Sequence, residues 1–324
     1  MQPVTLPARV KRISSPPYQH APKLTMRVAF IGYGEVAAAF STALVARGVE
    51  VAAYDVLLDQ PGGADRLKAR AGDVKVDFRP LADAVGKVTY VLSTVTTSVA
   101  QEAARRCVPY LHAGQTYVDF NATDPELKAQ IERIVTPSGA AFVEGAVLGA
   151  VGVTGAKTEI LLGGPHARRA ERELAGEMGL NARFYSEEIG KASMFKNLRS
   201  VFSKGMEALL IEFLTAGERA GIRADLWCEV TELFSNHPFE KTASNWVRTH
   251  ATAHARRLSE MKEVARVLRQ LGIEPTMTDA TVNFFARSAT LGLQDRFSTV
   301  PQNLDDVVQF FNERLQAGKG KQGA

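Results

Sequence analysis

RVAFIGYGEVAAAFSTALVARGVEVAAYD, residues 27–55, is the stretch of sequence that decides the fold. Its apolar run at 28–31 predicts a buried strand, the alanine-rich stretch that follows predicts a helix, and residues 49–54 predict a second strand. A glycine-rich turn lies between the first strand and the helix. This strand–turn–helix–strand order is the context in which a dinucleotide-binding turn occurs, so the stretch predicts a nucleotide-binding α/β domain.

The turn itself has the residues that phosphate binding needs. Gly32 permits a tight turn, Gly34 lets the backbone approach a pyrophosphate, and Ala37 lets the helix pack closely on the strand. The N–H groups at the start of the helix then face the phosphates. A glycine turn in an α/β unit that binds nothing is the alternative. The residues expected to bind the dinucleotide are Gly32, Tyr33, Gly34, Glu35 and Val36.

Asp55 ends the second predicted strand, 21 residues after Gly34. A carboxylate at this position accepts hydrogen bonds from the adenosine ribose hydroxyls and repels the extra phosphate of NADP, so NAD is the predicted cofactor. Arg66, Lys68 and Arg70 follow downstream and could reach a 2′-phosphate, which keeps NADP as an alternative. The other role open to Asp55 is a helix or turn cap.

Segments with strand and helix patterns alternate up to residue 185, which predicts a doubly wound parallel sheet with right-handed crossovers. From Gly190 onward the strand patterns end and long helical patterns begin, so we expect an all-helical second half. The predicted later strands are 88–94, 117–120, 141–147, 159–162 and 182–185. The predicted segments are a disordered tail (1–25), a Rossmann domain (26–188), a helical substrate and dimerisation domain (189–318) and a flexible tail (319–324).

Composition limits the class of protein. The 324 residues suffice for two domains, and no apolar run reaches the roughly 18–20 residues of a membrane span. The net charge of +4 arises in the tails: without the six basic residues of 1–25 and 319–324, 33 basic residues face 35 acidic ones. Nucleic-acid binding by the folded part is therefore not expected. Cys107 and Cys228 show neither metal-ligand spacing nor a disulfide framework and fit a reducing, cytoplasmic compartment.

The first 25 residues are rich in Pro and Ser and lack periodicity, so they are predicted to be disordered. Their Arg-bearing, acid-free composition resembles a transit peptide, but an amphipathic helix is missing. We expect Met26 to open the fold, one residue before the first strand.

A group of polar residues marks the first helix of the second half. On a helix, Lys196, Arg199, Ser200 and Lys204 share one face. Clustered cations lower the pKa of a lysine, which suits Lys196 to proton transfer, and the other two cations suit an anionic substrate group. A solvated helix face is the alternative.

A second group shares one face of a later helix: Trp246, His250, His254 and Arg257. These residues could line a substrate pocket, and a solvated or dimer-facing stripe is at least as good an interpretation. A metal site is not expected, because no acid lies between the histidines and no third ligand stands out.

The chain resembles the superfamily of 6-phosphogluconate dehydrogenase and 3-hydroxyisobutyrate dehydrogenase, the β-hydroxyacid dehydrogenases. Four motifs carry the resemblance, which covers about residues 27–290. They are the GYGEVA turn with Asp55, the loop Leu92-Ser93-Thr94-Val95-Thr96, the segment FVEGAVLGA at 142–150, where the family reads Asp-Ala-Pro-Val-Ser-Gly-Gly, and Gly190 followed six residues later by Lys196.

The resemblance implies an NAD(P)-dependent dehydrogenase that acts as a homodimer on a 3-hydroxy acid or a similar small polar alcohol. Lys196 would be the general base, Ser200 would orient the substrate hydroxyl, and Arg199 and Lys204 would hold a substrate anion. Thr94, Val95, Thr96 and Asn121 would contact the cofactor. Leu148, Gly149 and Ala150 would form the substrate-binding turn, in which the backbone N–H groups of Gly149 and Ala150 could bind an anion.

Two departures from the family pattern matter for activity. Leu148 replaces the family's serine, and Ser200 replaces its asparagine. With these departures the chain is similar to a little-characterised, phosphogluconate-dehydrogenase-like branch of undefined substrate. One alternative function is an imine or ketone reductase on the same scaffold, although that branch typically carries Asp or Tyr at the position of Lys196. The other is a dinucleotide-binding sensor without catalysis.

Overall fold

The structure is a computed structural model that describes residues 26–319, with side chains to residue 316. The tail predicted at 1–25 and residues 320–324 of the tail predicted at 319–324 lie outside the described residues. Contacts divide the chain into two compact units, and the division falls between Arg199 and Ser200. The predicted domain boundary at 188/189 stays a prediction.

Within residues 26–319 the strands form a single mixed sheet of order β3-β2-β1-β4-β5-β6-β7-β8. The first six positions have the order of a doubly wound dinucleotide-binding domain, so the predicted fold class is confirmed. The strands are β1 (Arg27–Ile31), β2 (Glu50–Tyr54), β3 (Asp77–Phe78), β4 (Tyr90–Ser93), β5 (Thr116–Asp119), β6 (Ala141–Leu148), β7 (Glu159–Gly163) and β8 (Ala182–Ser186).

The sheet is not parallel throughout. β6 pairs with β7 in antiparallel register, whereas β7 and β8 are parallel to each other. Residues 149–158, which join β6 to β7, form only short helical turns. A parallel crossover needs a dozen or more residues, usually with a helix, so this short connection can only return the chain in the opposite direction. The helical segment 167–177 provides the crossover from β7 to β8.

Side chains of β1 alternate between two apolar cores, one on each face of the sheet. Val28 and Phe30 belong to one core and Ala29 and Ile31 to the other. A strand buried on both faces reads as a continuous apolar run, which is the pattern at 28–31. The helices of this unit are α1 (Glu35–Ala46), α2 (Gly63–Ala71), α3 (Leu81–Val85), α4 (Ala100–Cys107), α5 (Pro125–Val135), α6 (Val151–Thr154) and α7 (Ala167–Glu171).

The second half is helical, as the sequence predicted. The long helix α8 begins in the first unit and continues into the second. The helices are α8 (Lys191–Ala220), α9 (Arg223–Asn236), α10 (Phe239–Gln270), α11 (Thr276–Ala289), α12 (Leu293–Arg296) and α13 (Leu304–Lys319). None of the helices in residues 26–319 is both long and apolar enough to cross a membrane.

Two polar features organise the second unit. The Glu212 carboxylate accepts hydrogen bonds from the N–H groups of Met277 and Thr278, at 2.7 and 2.9 Å, and so caps the start of α11. His250 lies against Phe285, with ring centroids 5.0 Å apart. Burial, with His254 and Arg257 nearby, lowers the pKa of His250 to about 4, so this imidazole is neutral at pH 7.

Candidate active site

The turn after β1 has the backbone geometry of a phosphate-binding loop. Gly32 has φ +83°, and a Cβ there would lie 2.7 Å from Val95 Cγ1. The Gly32 N–H donates to the Tyr54 carbonyl at 2.8 Å. A Cβ at Gly34, in contrast, would meet no atom within 4 Å. The fold therefore requires the first glycine, and the second leaves the backbone open to a ligand.

Asp55 ties this turn to the end of β2. Its Oδ2 accepts from the Tyr33 N–H at 2.8 Å, and its Oδ1 accepts from the Leu57 N–H at 2.9 Å. The second bond caps the short 3-10 helix 56–59, so the capping role is present. Because each carboxylate oxygen has a further lone pair, Asp55 can still accept from ribose hydroxyls.

A cavity of about 370 Å³ lies beside the turn. Its lining combines the Gly34 backbone, the Asp55 carboxylate and apolar side chains such as Leu81 and Val99. These groups fit a dinucleotide, since they supply backbone N–H groups for the pyrophosphate, an acceptor for the ribose and apolar surface for the base. Seven of the predicted residues line it: Gly32, Tyr33, Gly34, Asp55, Thr94, Val95 and Thr96.

Two arginines line the same cavity. The Arg70 guanidinium donates to the Tyr33 carbonyl at 2.6 Å. Arg106 donates to the Tyr54 hydroxyl at 2.7 Å and lies over its ring. Sequence reasoning considered Arg70 but missed Arg106, because a basic residue in the last turn of an amphipathic helix gives no sign of which cavity it reaches.

The predicted residues Glu35 and Val36 lie in the first turn of α1 and are not part of this lining. Glu35 is exposed, and its carboxylate lies where a side chain at Gly152 would collide with it. Gly152 thus leaves room for an acid at the helix start.

Asn121 lies in a buried polar network just after β5. Its amide nitrogen donates to the Ser93 hydroxyl at 2.9 Å and also to Asp119. These contacts fix the orientation of the amide, and the Asn121 Oδ1 has no hydrogen-bond partner among the described residues. A buried acceptor without a donor is costly, so Oδ1 is a group that a ligand hydroxyl or amide can satisfy.

The candidate substrate turn follows β6. Leu148 is half-buried, and Gly149 and Ala150 are exposed. Gly149 has φ +127°, a conformation that favours glycine. Leu148 packs beside a small buried core formed by Ala146, Leu161 and Ala192, so its side chain serves packing in place of hydrogen bonding.

A buried carboxylate positions the start of α8. Glu144 on β6 is fully buried, and it accepts hydrogen bonds from the N–H groups of Gly190 and Ser193, at 2.6 and 2.5 Å. These N–H groups belong to the helix start, where intrahelical acceptors are missing. The cap therefore anchors the helix that carries Lys196 to the sheet. Sequence reasoning missed this role, although the family pattern that it matched places an acid at this position.

Lys196 lies one turn beyond that cap and is half-buried. Phe195 beside it packs near Ala192 and contacts Tyr185, with ring centroids 5.3 Å apart. Burial, and secondarily the charge of Lys128, lowers the pKa of the Lys196 amine. A lysine with a lowered pKa is suited to accept a proton.

The other polar residues predicted on this face of α8 are exposed. Arg199 and Ser200 lie three and four residues after Lys196, within the same helix. Lys204 forms an ion pair with Glu207 at 2.7 Å, with 76% of its side chain exposed. The spacing of a shared helix face is thus present, and the roles of these residues stay predictions.

The helical unit has a cavity of its own, of about 820 Å³. Trp246, His250 and Arg257 line it among apolar side chains, whereas His254 does not. His254 is buried, donates from Nδ1 to the His250 carbonyl at 3.2 Å, and has an Nε2 without a partner in the described residues. Residues 26–319 contain no cluster of His, Cys, Asp or Glu that could hold a metal ion.

Comparison with protein families supports the cofactor class. Residues 27–175 match a family described as the NAD binding domain of 6-phosphogluconate dehydrogenase. Residues 218–288 match a domain family of unknown function, DUF1932. The first match includes the glycine turn and Asp55, so the predicted NAD(P)-binding domain is confirmed.

Similar proteins extend over both units. A conserved protein of unknown function, whose structure was described as similar to 3-hydroxyacid dehydrogenases, is 32% identical, with 83% of this chain and 97% of that chain covered and a TM-score of 0.54. Glyoxylate/succinic semialdehyde reductase 1 of Arabidopsis thaliana is 22% identical over 83% of this chain and 95% of its own length. An imine reductase of Myxococcus stipitatus in complex with NADP+ is 15% identical, with 84% of this chain and 100% of that chain covered and a TM-score of 0.68. This likeness shows the fold alone.

The two glycines of the turn should respond differently to alanine. Gly34→Ala should fold like the wild type, because no atom lies near its Cβ, but should weaken dinucleotide binding about tenfold or more, a cost of at least about 1.4 kcal/mol. Gly32→Ala should lower the melting temperature, because its φ is positive and Val95 is in the way. Calorimetric titration and thermal unfolding test both; wild-type affinity in Gly34→Ala would contradict a ligand at this turn.

Proposed function

We propose that this chain, which belongs to the superfamily of 6-phosphogluconate dehydrogenase and the 3-hydroxyacid dehydrogenases, transfers a hydride between a nicotinamide cofactor and a 3-hydroxy acid or a similar small polar alcohol. The observation that carries the proposal is Lys196: a half-buried amine of lowered pKa on a helix that a buried carboxylate anchors to the sheet. The reverse direction is the reduction of a small aldehyde or keto acid, the type of substrate named for the Arabidopsis relative.

In the oxidative direction, the neutral Lys196 amine accepts the proton of the substrate hydroxyl. In the reductive direction, the Lys196 ammonium returns a proton to the carbonyl oxygen. Nicotinamide, when bound, supplies the hydride acceptor or donor. Burial lowers the pKa of the Lys196 amine, so at a given pH more of it is neutral than in an exposed lysine.

The other predicted roles are arranged around this base. Ser200, one helical turn further along α8, orients the substrate hydroxyl. Arg199 and Lys204 attract an acidic substrate group, and Arg199 offers a bidentate fork to a carboxylate. The turn Leu148–Ala150 contacts the substrate through the backbone N–H groups of Gly149 and Ala150, and Asn121 with its unpartnered Oδ1 contacts the cofactor.

NAD is the preferred cofactor in this proposal. Asp55 lines the cavity with a carboxylate that would repel a 2′-phosphate. Arg70 and Arg106, the cations of the same cavity, already donate to the Tyr33 carbonyl and the Tyr54 hydroxyl. Their charge still favours a phosphate, so NADP binds more weakly but measurably.

The helical unit forms a homodimer in this proposal. Large apolar side chains of this unit are exposed on successive helices, among them Val201 (73%), Ile211 (63%), Phe239 (46%), Phe284 (50%) and Val308 (54%). A monomer rarely exposes so much apolar surface on one unit.

Cys107 is a buried free thiol and Cys228 an exposed one, which supports a reducing, cytoplasmic location.

Cofactor preference can be measured directly. Calorimetric titration of the wild type should give a lower Kd for NAD than for NADP. Asp55→Asn removes the repulsion and should reduce or reverse this preference, whereas Arg70→Ala should weaken NADP more than NAD. Tighter binding of NADP by the wild type would overturn the assignment of Asp55.

Removal of the proposed base should abolish turnover. Lys196→Met keeps the apolar stem and removes the amine, so kcat should fall about 10²–10⁴-fold, the usual contribution of a general acid–base group, with NADH affinity unchanged. Lys191→Met is the matched control, since Lys191 lies on the same helix in an exposed ion pair with Glu188 at 3.4 Å.

The substrate screen should contain 3-hydroxy acids with NAD, and glyoxylate and succinic semialdehyde with NADH. A cyclic imine with NADPH belongs to the same screen. Turnover of the imine alone would favour the reductase alternative, and cofactor binding with no turnover of any substrate would favour a sensor. Near-normal activity of Lys196→Met on a confirmed substrate would refute its role as base.

Light scattering at micromolar concentration should show twice the monomer mass. Val308→Asp places a charge on the exposed apolar surface of the helical unit and should shift the mass toward the monomer. Tyr110→Asp, a change of similar exposure in the first unit, should leave the mass unchanged. A monomeric wild type would contradict the proposed dimer.

A further inference from the structure

Lys128 is a fully buried lysine outside the set of predicted site residues. Its Nζ donates to the Asp119 carbonyl at 2.7 Å, to Asp119 Oδ2 at 3.0 Å and to the Asn121 carbonyl at 2.8 Å. Lysine is almost never fully buried unless it is paired, because removal of its charge from water is costly. Three oxygen acceptors thus use all three donors of the ammonium group at the end of β5.

Other contacts place the start of α5, the helix that carries Lys128, beside the start of α8, the helix that carries Lys196. Asp119 on β5 pairs in register with Glu144 on β6, and Glu144 caps the start of α8. A Cβ at Gly190 would lie 2.9 Å from Pro125 Cβ, so the first residue of α5 touches the residue before α8. Lys128 lies three residues along α5 and Lys196 six residues beyond Gly190. The starts of the two helices therefore place two lysines in one region.

We propose that Lys128 is a positioning residue for catalysis: its buried ammonium, fixed by Asp119 and two carbonyls, keeps the neighbouring Lys196 amine in the neutral form that accepts a proton. The inference rests on the proposed role of Lys196 as the base. It assigns a function to a buried charge that would otherwise only cost stability.

The charges around the two lysines support Lys128 as the positioning residue and Lys196 as the base. Two nearby ammonium groups repel each other, so a buried positive charge beside a lysine lowers the pKa of that lysine. Lys128 has a carboxylate partner, and the charge of Lys128 adds to burial in lowering the pKa of Lys196. Among the other charged groups on these elements, Asp119 is paired with Lys128, and Glu144 is bound by the α8 N–H groups. On α5, Glu126 and Arg133 are exposed and Glu132 is half-buried. On α8, Lys191, Arg199, Lys204 and Glu207 are exposed, and Glu212, Glu218 and Arg219 lie further along the helix.

The test measures the protonation of Lys196 without any substrate. The full chain is labelled with ¹³C at the lysine Cε, its Cε resonances are followed against pH, and the Lys196 signal is assigned by its loss in Lys196→Met. In Lys128→Met the titration midpoint of Lys196 should rise by about one pH unit, since a like charge is gone. In Lys128→Arg, which keeps the charge, the midpoint should stay near that of the wild type. Lys191→Met is the control and should leave the midpoint unchanged.

Loss of Lys128 alone leaves Asp119 buried and unpaired, which could prevent folding. The double variant Lys128→Met with Asp119→Asn removes both charges and should show a smaller rise of the Lys196 midpoint than Lys128→Met, because no unpaired Asp119 carboxylate adds to the shift. An unchanged or lowered midpoint in these variants would overturn the inference. On a confirmed substrate, the acidic limb of the kcat/KM profile should move to higher pH in parallel.

A failure of Lys196 as the base and a failure of the inference about Lys128 give different results. If the Lys196 midpoint moves as expected but Lys196→Met retains activity, the coupling of the lysines stands and the proposed base is wrong. If Lys196→Met is inactive but the midpoint does not move, the base stands and the role of Lys128 is wrong.

Discussion

The capping of α8 by Glu144 is the interaction on which the candidate active site depends. A fully buried carboxylate needs strong donors, and the first N–H groups of a helix need acceptors. β6 supplies the carboxylate of Glu144, and α8 supplies the N–H groups. The hydrogen bonds measure 2.6 Å to Gly190 and 2.5 Å to Ser193. Neighbouring positions adapt to the cap: a Cβ at Gly163 would lie 2.6 Å from Glu144 Oε2. The result is a helix start held rigidly on the sheet, with Lys196 one turn further on.

The same edge of the sheet supplies the other candidate site groups. In a parallel sheet, the loops that follow the strands meet at the carboxyl ends, where ligands of doubly wound folds bind. Gly34 follows β1, Asp55 follows β2, Thr94 follows β4 and Asn121 follows β5. Hydrogen bonds between these loops stiffen the arrangement, as when the Thr94 hydroxyl donates to the Gly32 carbonyl at 2.6 Å. Preorganised loops lose less entropy when a ligand binds.

The chain places charge inside the protein in two contrasting ways. Asp119 and Lys128 form a buried pair whose remaining donors and acceptors are largely satisfied by the backbone and by Asn121. Lys196 is only half-buried, and burial shifts its pKa downward. The first arrangement holds a charge in place, and the second makes a proton easy to release. In the proposed mechanism Lys128 is structural and Lys196 is the base, although both are lysines.

Local sequence determined much of this protein. The apolar run at 28–31, the glycine turn and Asp55 predicted the nucleotide-binding unit, because strand periodicity and turn chemistry are encoded in adjacent residues. The strand patterns also predicted a parallel sheet, and only the structure showed that the short connection at 149–158 makes β7 antiparallel to β6. Tertiary structure alone decided that Glu144 caps α8, that Lys128 is buried beneath Asn121 and that Arg106 reaches the cavity. These contacts join residues far apart in sequence, such as Glu144 and Gly190, and depend on how packed elements meet, for which no local pattern carries a signal.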